Sequence, residues 1–199
     1  MKFQDQRSLI LFKPDTIQRG LVGEVMRRIE RTGLKIVALK MLIASRDQVV
    51  AHYHKDEAWF IKKGTKIVED RKANNLPIEM EAVEYGRNII EQNVQFMTSG
   101  PIVAIIVQGN EAPAVIKKIT GGTEPATSDV GTIRGDFTID SYEHAGVSGR
   151  AVRNLLHCSE SVEEAEREIT VWFTPQEIVS YRLVGEQILY DVNLDGILE

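Results

Sequence analysis

The sequence predicts an α+β fold in which helices cover an antiparallel sheet and the elements follow the order βαββαβ. Two observations lead to this class. Apolar segments typical of strands alternate along the chain with segments that have the 3.6-residue apolar spacing of amphipathic helices. Residues 102–107 are wholly apolar and rich in β-branched side chains, which makes this segment the clearest strand in the chain.

The first strand is predicted at residues 7–13, where Leu9 to Phe12 form an unbroken apolar run. Such a run suggests a strand that is buried on both faces. Pro14 ends it, because proline has no N–H to donate to a sheet. Lys13 is therefore left at the carboxyl end of the strand, the end at which ligands gather in α/β domains.

An amphipathic helix is predicted at residues 21–31, with Gly33 just past its end, and a second strand at residues 34–44. Alternation along this strand should place one apolar set on a single face, namely Leu34, Ile36, Ala38 and Leu42. Ser45 should then begin a short helix that runs to about Tyr53.

The middle of the chain, residues 58–97, has helical apolar spacing that is interrupted at residues 74–77. We interpret residues 61–93 as a helical insertion. A further helix is predicted at residues 111–120. The long stretch at residues 123–153, rich in Gly, Thr, Ser and Asp, is expected to be irregular, and loops of this length are usually functional or mobile.

The last strand is placed at residues 169–173, followed by a short helix at residues 175–181 and a tail at residues 182–199. These elements together make the ferredoxin-like βαββαβ arrangement. The whole chain, residues 1–199, is expected to form a single domain.

Composition narrows the class of protein. The 199 residues include 24 basic and 29 acidic side chains and carry a net charge of −5, which argues against a nucleic-acid partner. The first apolar run, Leu9 to Phe12, is too short for a signal peptide or a membrane span. The single cysteine, Cys158, fits a reducing compartment. We therefore expect a cytoplasmic protein without a membrane partner.

Residues 154–168 are predicted to form a loop that contains His157 and leads into a short helix. Ser161 can cap that helix, and Glu164, three residues on, completes a capping box. Peptide N–H groups at a helix start bind anionic oxygens, so a neighbouring imidazole is suited to handling a phosphoryl group. A core histidine in an ordinary loop would show the same pattern, and for a lone histidine it is the commoner case.

Four separated segments resemble, in this order, the motifs of the nucleoside diphosphate kinase family, in a form with a long helical insertion. The segments are residues 11–15 with 18–23, residues 98–101, residues 131–137, and residues 154–161 continuing to 173. The resemblance covers about residues 7–60 and 93–181. No Gly-x-x-x-x-Gly-Lys-Ser/Thr phosphate loop occurs in the sequence.

The resemblance implies a ping-pong phosphoryl transfer. A nucleoside triphosphate such as ATP gives its γ-phosphoryl group to His157, and a nucleoside diphosphate then collects it. Mg²⁺ is expected as the cofactor, held mainly by nucleotide phosphates and water. The family resemblance also implies a homo-oligomer, a hexamer or a tetramer.

The resemblance also implies roles for individual residues. His157 matches the phosphorylated histidine, and Glu168 and Ser159 match the groups that orient it. Lys13 and Tyr53 match groups near the transferring phosphate. The matching nucleotide-binding residues are Lys117, Thr123 and Arg134 for phosphate, Asn154 for the sugar hydroxyl and phosphate end, and Phe60, with Trp59 as its rival, for stacking on the base. Glu160 matches a residue that reaches the metal through water.

Several features depart from the common family pattern. Cys158 stands where glycine is usual, and Lys117 stands where an arginine commonly binds phosphate, so the bidentate fork is lost. Residues 61–93 and 140–153 look expanded. The remaining histidines, His52, His54 and His144, are expected at the surface.

Three other functions compete with this interpretation. A non-catalytic nucleotide-binding module would not need a competent His157–Glu168 pair. An RNA-binding ferredoxin-like domain would want exposed aromatic residues on its strands and a basic face. A cysteine hydrolase would need a base placed to activate Cys158, and an adjacent histidine is rarely so placed.

Overall fold

The structure, a computed structural model, describes residues 5–190 and contains one antiparallel sheet of four strands in the order β2-β3-β1-β4. The strands are β1 (Arg7–Phe12), β2 (Lys35–Leu42), β3 (Ile102–Gln108) and β4 (Leu156–Cys158). The central pair, β1 and β3, is buried along almost its whole length, as the apolar runs predict. The α+β, ferredoxin-like class is confirmed.

Ten helices occur in the described part of the chain. They are α1 (Pro14–Gln18), α2 (Val22–Glu30), α3 (Arg46–His52), α4 (Glu57–Ala73), α5 (Ala82–Thr98), α6 (Ala112–Thr120), α7 (Ile133–Phe137), α8 (Tyr142–Val147), α9 (Val162–Trp172) and α10 (Glu186–Tyr190). The helices predicted at residues 21–31 and 111–120 are confirmed with ends shifted by one residue at most. Residues 123–153 are less irregular than expected, because they include α7 and α8. No helix among residues 5–190 has both the length and the apolarity needed to cross a lipid bilayer.

The sheet separates two hydrophobic cores. Leu9 and Leu11 of β1 face one core, to which α3, α5 and α9 contribute. Ile10 and Phe12 face the other core, to which α2 and α6 contribute. Each side chain of this kind stabilises the fold by about 1.5–3 kcal/mol when it is fully buried. Alternation on β1 therefore ties both helical layers to one strand.

Strand β2 departs from simple alternation. A β-bulge lies between Ile36 and Ala38, where the register against β3 shifts by one residue. Since side chains alternate with a period of two, the extra residue moves the following positions to the other face. Leu34 and Ile36 pack in one core, whereas Ala38 and Leu42 pack in the other. The prediction that these four residues share a face is wrong.

The fourth strand lies earlier in the chain than predicted. Residues 169–173 are not a strand: all but Phe173 belong to the second half of α9, which runs from Val162 to Trp172. The fourth strand of the sheet is instead β4, which pairs with β1. Residues 169–172 are helical because α9 buries one face of a helix, at positions i, i+3, i+4 and i+7. These residues are Ala165, Glu168, Ile169 and Trp172. Tertiary packing of that face overrides the β-branched run at its end.

The start of α9 follows the predicted cap only in part. The Ser161 hydroxyl accepts the Glu164 N–H at 3.1 Å, as predicted. The Glu164 carboxylate, however, accepts the N–H of Glu160 rather than that of Ser161, at 3.1 Å. The reciprocal hydrogen bond is therefore displaced by one residue, and it fixes the backbone next to β4.

Helices α4 and α5 pack against each other through two glycines. A Cβ atom at Gly64 would lie 1.5 Å from the carbonyl oxygen of Ala82, and one at Gly86 would lie 2.1 Å from that of Phe60. Gly64 is also the only residue of α4 that is buried. The two helices can approach this closely only because neither glycine carries a side chain.

The end of the described chain packs along β2. The helix predicted at residues 175–181 is reduced to a 3-10 turn at Pro175–Glu177. Beyond it, the N–H of Val179 donates to the carbonyl of Val37, at the bulge. Of the predicted tail at residues 182–199, α10 is described, and residues 191–199 lie outside the described residues.

We expect Gly64→Ala to destabilise the protein although alanine favours helices. The added methyl group must push α4 away from α5, and overpacking of this kind typically costs about 1–3 kcal/mol. Gly146→Ala is the matched control, because Gly146 lies in α8 and a Cβ atom added there would meet nothing within 4 Å. Thermal unfolding should show a lower Tm for Gly64→Ala and an equal or higher Tm for Gly146→Ala. Equal gains in both variants would contradict the close approach.

Candidate active site

His157 lies on β4, not in a loop. It pairs with Leu11 of β1, so its side chain points to the face that α3 and α9 cover. Its Nε2 atom lies 2.9 Å from Oε1 of Glu168 and 3.1 Å from Oε2. The next residue, Cys158, pairs with Ile10 and packs in the opposite core. The pleat of one short strand therefore separates the two nucleophilic side chains.

Glu168 is a buried carboxylate with two hydrogen-bonding partners. It is 1% exposed. The Ser159 hydroxyl donates to its Oε2 atom at 2.6 Å, and the same hydroxyl oxygen accepts the Leu9 N–H at 3.2 Å. Burial raises the pKa of Glu168, while the Ser159 hydrogen bond acts in the opposite direction. Ser159 thus ties the carboxylate to the central strand β1.

The His157 ring is neutral at physiological pH. Burial, followed by the nearby charge of Lys13, lowers its pKa to about 3. Because Nε2 faces the Glu168 carboxylate, the single ring proton belongs on Nε2 and the lone pair on Nδ1. Residues 5–190 supply no hydrogen bond to Nδ1. The ring is therefore held on one side and nucleophilic on the other.

His52 is buried beside this pair, which corrects the expectation that it lies at the surface. It is 1% exposed, and its ring centroid lies 4.3 Å from that of His157 in an edge-to-face arrangement. The cause is helical spacing on α3, where Val49 and His52, three residues apart, both face the core. That spacing was the signal that could have revealed it. His54 and His144 are exposed, as predicted.

Lys13 extends the site from the end of β1, where its N–H donates to the carbonyl of Leu155. Its Nζ atom donates to Oδ1 of Asn154 at 2.7 Å, and Nδ2 of Asn154 donates to the carbonyl of Thr123 at 2.8 Å. Burial, and then the charge of Arg134, lowers the pKa of Lys13 to about 8. The structure thus brings together a buried amine, an amide and a loop carbonyl that the sequence places far apart.

Arg134 supports the backbone around these groups. Its guanidinium donates to the carbonyls of Asn154, Leu156, Gly121 and Gly122 at distances of 2.6–3.1 Å. These bonds occupy four of its five N–H donors, which leaves one for a ligand. Arg134 is therefore a positive charge that also holds two loops together.

The remaining predicted residues are placed more loosely. The Tyr53 ring lies 6.1 Å from that of His157. Thr123 is exposed and takes part through its carbonyl oxygen. Lys117 is exposed, with its Nζ atom 3.7 Å from Oε1 of Glu160. Phe60 contacts Trp59 on the first turn of α4, with ring centroids 5.7 Å apart.

Comparison with known proteins identifies the family of the chain. The family model described as nucleoside diphosphate kinase matches residues 6–68 and 57–178. The chain belongs to the nucleoside diphosphate kinase family. The nucleoside diphosphate kinase of Pyrobaculum aerophilum is 43% identical over 181 residues, covering 87% of this chain and 98% of the relative. That of Archaeoglobus fulgidus is 36% identical over 188 residues, covering 94% and 98%.

Solved structures of nucleoside diphosphate kinases resemble the chain closely. The Pyrobaculum aerophilum structure aligns with a TM-score of 0.84 at 40% identity, covering 88% of this chain and 100% of the other. A Borrelia burgdorferi structure, a transition-state mimic with bound vanadate and ADP, aligns with a TM-score of 0.75 at 32% identity, covering 92% and 95%. The activity of the chain is phosphoryl transfer between nucleotides, as in this family.

Arg153 is a charged residue near this kinase site that the sequence motifs did not select. Its guanidinium lies 3.8 Å from the centroid of the Phe96 ring, and its Nη1 atom is buried without a hydrogen bond from residues 5–190. The Nζ atom of Lys13 lies 5.8 Å from the same ring. The position of Arg153 directly before Asn154 was the sequence signal that could have revealed this residue.

Asp140 organises the expanded segment at residues 140–153. Its carboxylate accepts two hydrogen bonds from Arg150, at 2.6 and 2.9 Å, and one from the N–H of Arg153 at 2.7 Å. The hydrogen bonds from Arg150 are the main reason that the pKa of Asp140 falls to about 2. This carboxylate fixes the backbone that leads into Asn154.

We expect Asp140→Asn to lower the stability of the kinase at pH 7 by about 1–2 kcal/mol, allowing for screening of the partly exposed Arg150. A depressed carboxylate pKa stabilises the fold above the unfolded value and loses that effect as pH falls through the folded value of about 2. Urea unfolding should therefore show a gap between wild type and variant that closes from pH 4 to pH 2. Asp129→Asn, at an exposed position, is the control and should show no such gap. A gap that does not change with pH would contradict the assignment.

Proposed function

We propose that His157 carries the phosphoryl group between nucleotides in a ping-pong reaction. The observation that supports this most directly is the orientation of the ring, with Nε2 held by buried Glu168 and Nδ1 left without a partner among the described residues. Nδ1 attacks the γ-phosphorus of a nucleoside triphosphate such as ATP, so that a P–N bond forms and the bond to the leaving diphosphate oxygen breaks. The second half of the reaction reverses these steps with another nucleoside diphosphate.

Glu168 assists because the ring becomes cationic when Nδ1 is phosphorylated. A carboxylate 2.9 Å from Nε2 stabilises that charge without taking the proton. Lys13 and the free N–H of Arg134 neutralise the oxygens of the transferring phosphate, and phosphoryl transfer depends mainly on such positioning and charge. Tyr53 supplies its hydroxyl near the same phosphate, and Asn154 contacts the sugar hydroxyl.

The outer residues complete nucleotide binding in this proposal. Thr123 and Lys117 contact phosphate, and Phe60 stacks on the base. Lys117 does so as a single point charge in place of the usual arginine fork. Its exposed position and its distance of 3.7 Å from Glu160 place both charges at the surface, where a nucleotide can reach them.

Mg²⁺ is proposed as the cofactor, carried by the nucleotide rather than by a protein site. Within residues 5–190, the one group of side chains with metal-ligand spacing is His52, His157 and Glu168. Two imidazoles and one carboxylate do not suit Mg²⁺, which prefers oxygen ligands and keeps several waters. Arg167, 3.7 Å from the same carboxylate, also opposes a cation there. Glu160, which is exposed beside Lys117, contacts a metal-bound water in this proposal.

A homo-oligomer, a hexamer or a tetramer, is supported by exposed apolar side chains. Edge strand β2 and the residue after it present Leu39, Met41 and Ile43, which are 53%, 60% and 66% exposed. Val130, Ile139 and Val147 are 93%, 94% and 86% exposed. Large exposed apolar side chains, three of them along one edge of a sheet, are typical of an interface. We further propose that the chain acts as one cytoplasmic domain.

The direct test is labelling with ATP that carries a labelled γ-phosphate. Wild type and Cys158→Ala should both take up the label, and a nucleoside diphosphate should then remove it. His157→Ala should take up none while keeping its fold by circular dichroism. The bond should be labile in acid and stable in base, as a phosphoramidate is. Label that is lost in Cys158→Ala and kept in His157→Ala would refute the mechanism.

The pH dependence of catalysis should report Lys13. Its amine is protonated, and so able to bind phosphate, below its pKa of about 8, and it loses that charge above it. The kcat/KM value reports groups of the free enzyme, so it should fall above about pH 8. Lys13→Arg keeps its charge in alkaline solution and should move this fall to higher pH. An unchanged alkaline limb in Lys13→Arg would assign the titration to another group.

A further inference from the structure

We propose that Trp172 and His52 act together as a tautomer lock that reserves Glu168 for His157. The inference concerns positioning residues, since neither side chain is placed to touch a nucleotide. It rests on the proposed role of His157, although its first test is independent of that role.

The geometry assigns the proton of His52. Nε1 of Trp172, which can only donate, lies 3.3 Å from Nδ1 of His52. Nδ1 must therefore accept, and the ring proton lies on Nε2, which is buried without a hydrogen-bonding partner in the described part of the chain. A histidine that retains an unpartnered buried N–H is held in its tautomer by the other nitrogen.

The assigned tautomer determines what His52 can do to Glu168. Nδ1 of His52 lies 3.6 Å from Oε1, the oxygen that is also 2.9 Å from Nε2 of His157. With a lone pair on Nδ1, His52 cannot donate to that oxygen. With a proton there, a small movement would make it a charge-assisted donor that competes with His157.

Competition at Glu168 would matter because imidazole has one proton in its neutral form. If Nε2 of His157 lost its acceptor, the proton could move to Nδ1, and the lone pair that attacks phosphorus would be gone. The charged and titratable groups near His52 are Tyr53 directly after it, His157 on β4, Glu168 and Arg167 on α9, and Lys13 after β1. Burial and the nearby cations keep His52 uncharged, so its tautomer is the remaining variable.

The first experiment measures ring protonation by nitrogen-15 NMR of the histidine side chains. In the wild-type protein both His52 and His157 should carry the proton on Nε2. In Trp172→Phe, His52 should gain a population with Nδ1 protonated, and His157 should lose part of its Nε2–H signal. Wild-type His52 protonated on Nδ1 would overturn the proposal, whatever the enzyme does with nucleotides.

The second experiment is a pair of variants measured by single-turnover phosphorylation of His157. Trp172→Phe should slow phosphorylation by about tenfold at saturating ATP, with little change in the half-saturating ATP concentration, because a histidine in the wrong tautomer offers no lone pair. Adding His52→Phe to Trp172→Phe should restore most of the rate, since phenylalanine cannot donate to Glu168. A cavity left by the smaller ring would not be repaired in this way, so a double variant slower than Trp172→Phe would overturn the lock.

Two matched controls separate the lock from general effects. Trp59→Phe makes the same substitution at a half-buried position on α4, and His54→Phe does so at an exposed position two residues from His52. Neither should alter the tautomer of His157. Absence of any phosphohistidine in the wild-type protein would reject the proposed function, whereas the NMR result would still decide the lock.

Discussion

The buried carboxylate of Glu168 is the constraint around which the site is built. An ionised carboxylate that is 1% exposed is costly unless it is hydrogen-bonded, and each neighbouring element provides part of the compensation. Helix α9 carries Glu168, β4 supplies His157 with Ser159 just after it, and β1 supports Ser159 through the Leu9 N–H. Removing one partner would leave the charge uncompensated. The need to satisfy this single charge therefore links the first strand of the sheet to the consecutive elements β4 and α9.

A second group near the His157 ring is positively charged. Lys13 and Arg134 are buried cations that form no ion pair with a carboxylate of residues 5–190, and burial lowers the pKa of both. Such an arrangement is unfavourable in the free protein but suits a ligand with several negative oxygens, whose binding would remove the penalty. In the proposed mechanism, the neutral ring of His157 accepts a phosphoryl group from a ligand bound by these cations, and Glu168 stabilises the product.

The sequence predicted those parts of the molecule that depend on local patterns. The central strands follow from unbroken apolar runs at Leu9 to Phe12 and at residues 102–107, and α2 and α6 follow from helical spacing. The position of β4 could not be obtained in this way. A three-residue edge strand has too few residues for a pattern, and it is defined by its pairing with β1. The bulge in β2 was missed for a related reason, since it depends on register against β3.

The site shows the same division between local pattern and tertiary contact. The motifs were sufficient to select His157, Glu168, Lys13 and Arg134. They do not predict that Arg134 donates four hydrogen bonds to backbone carbonyls. His52 and Arg153 were missed because their importance lies in what surrounds them. Both have a buried nitrogen without a hydrogen bond from the described residues, and both lie within the same region of the fold. Unsatisfied buried donors are normally eliminated because they destabilise the folded state. Two of the four such side-chain atoms among the described residues lie near His157 and Lys13, and we infer a functional reason for these two. The protein tolerates local instability where a ring must keep one tautomer and where an anion is to be received.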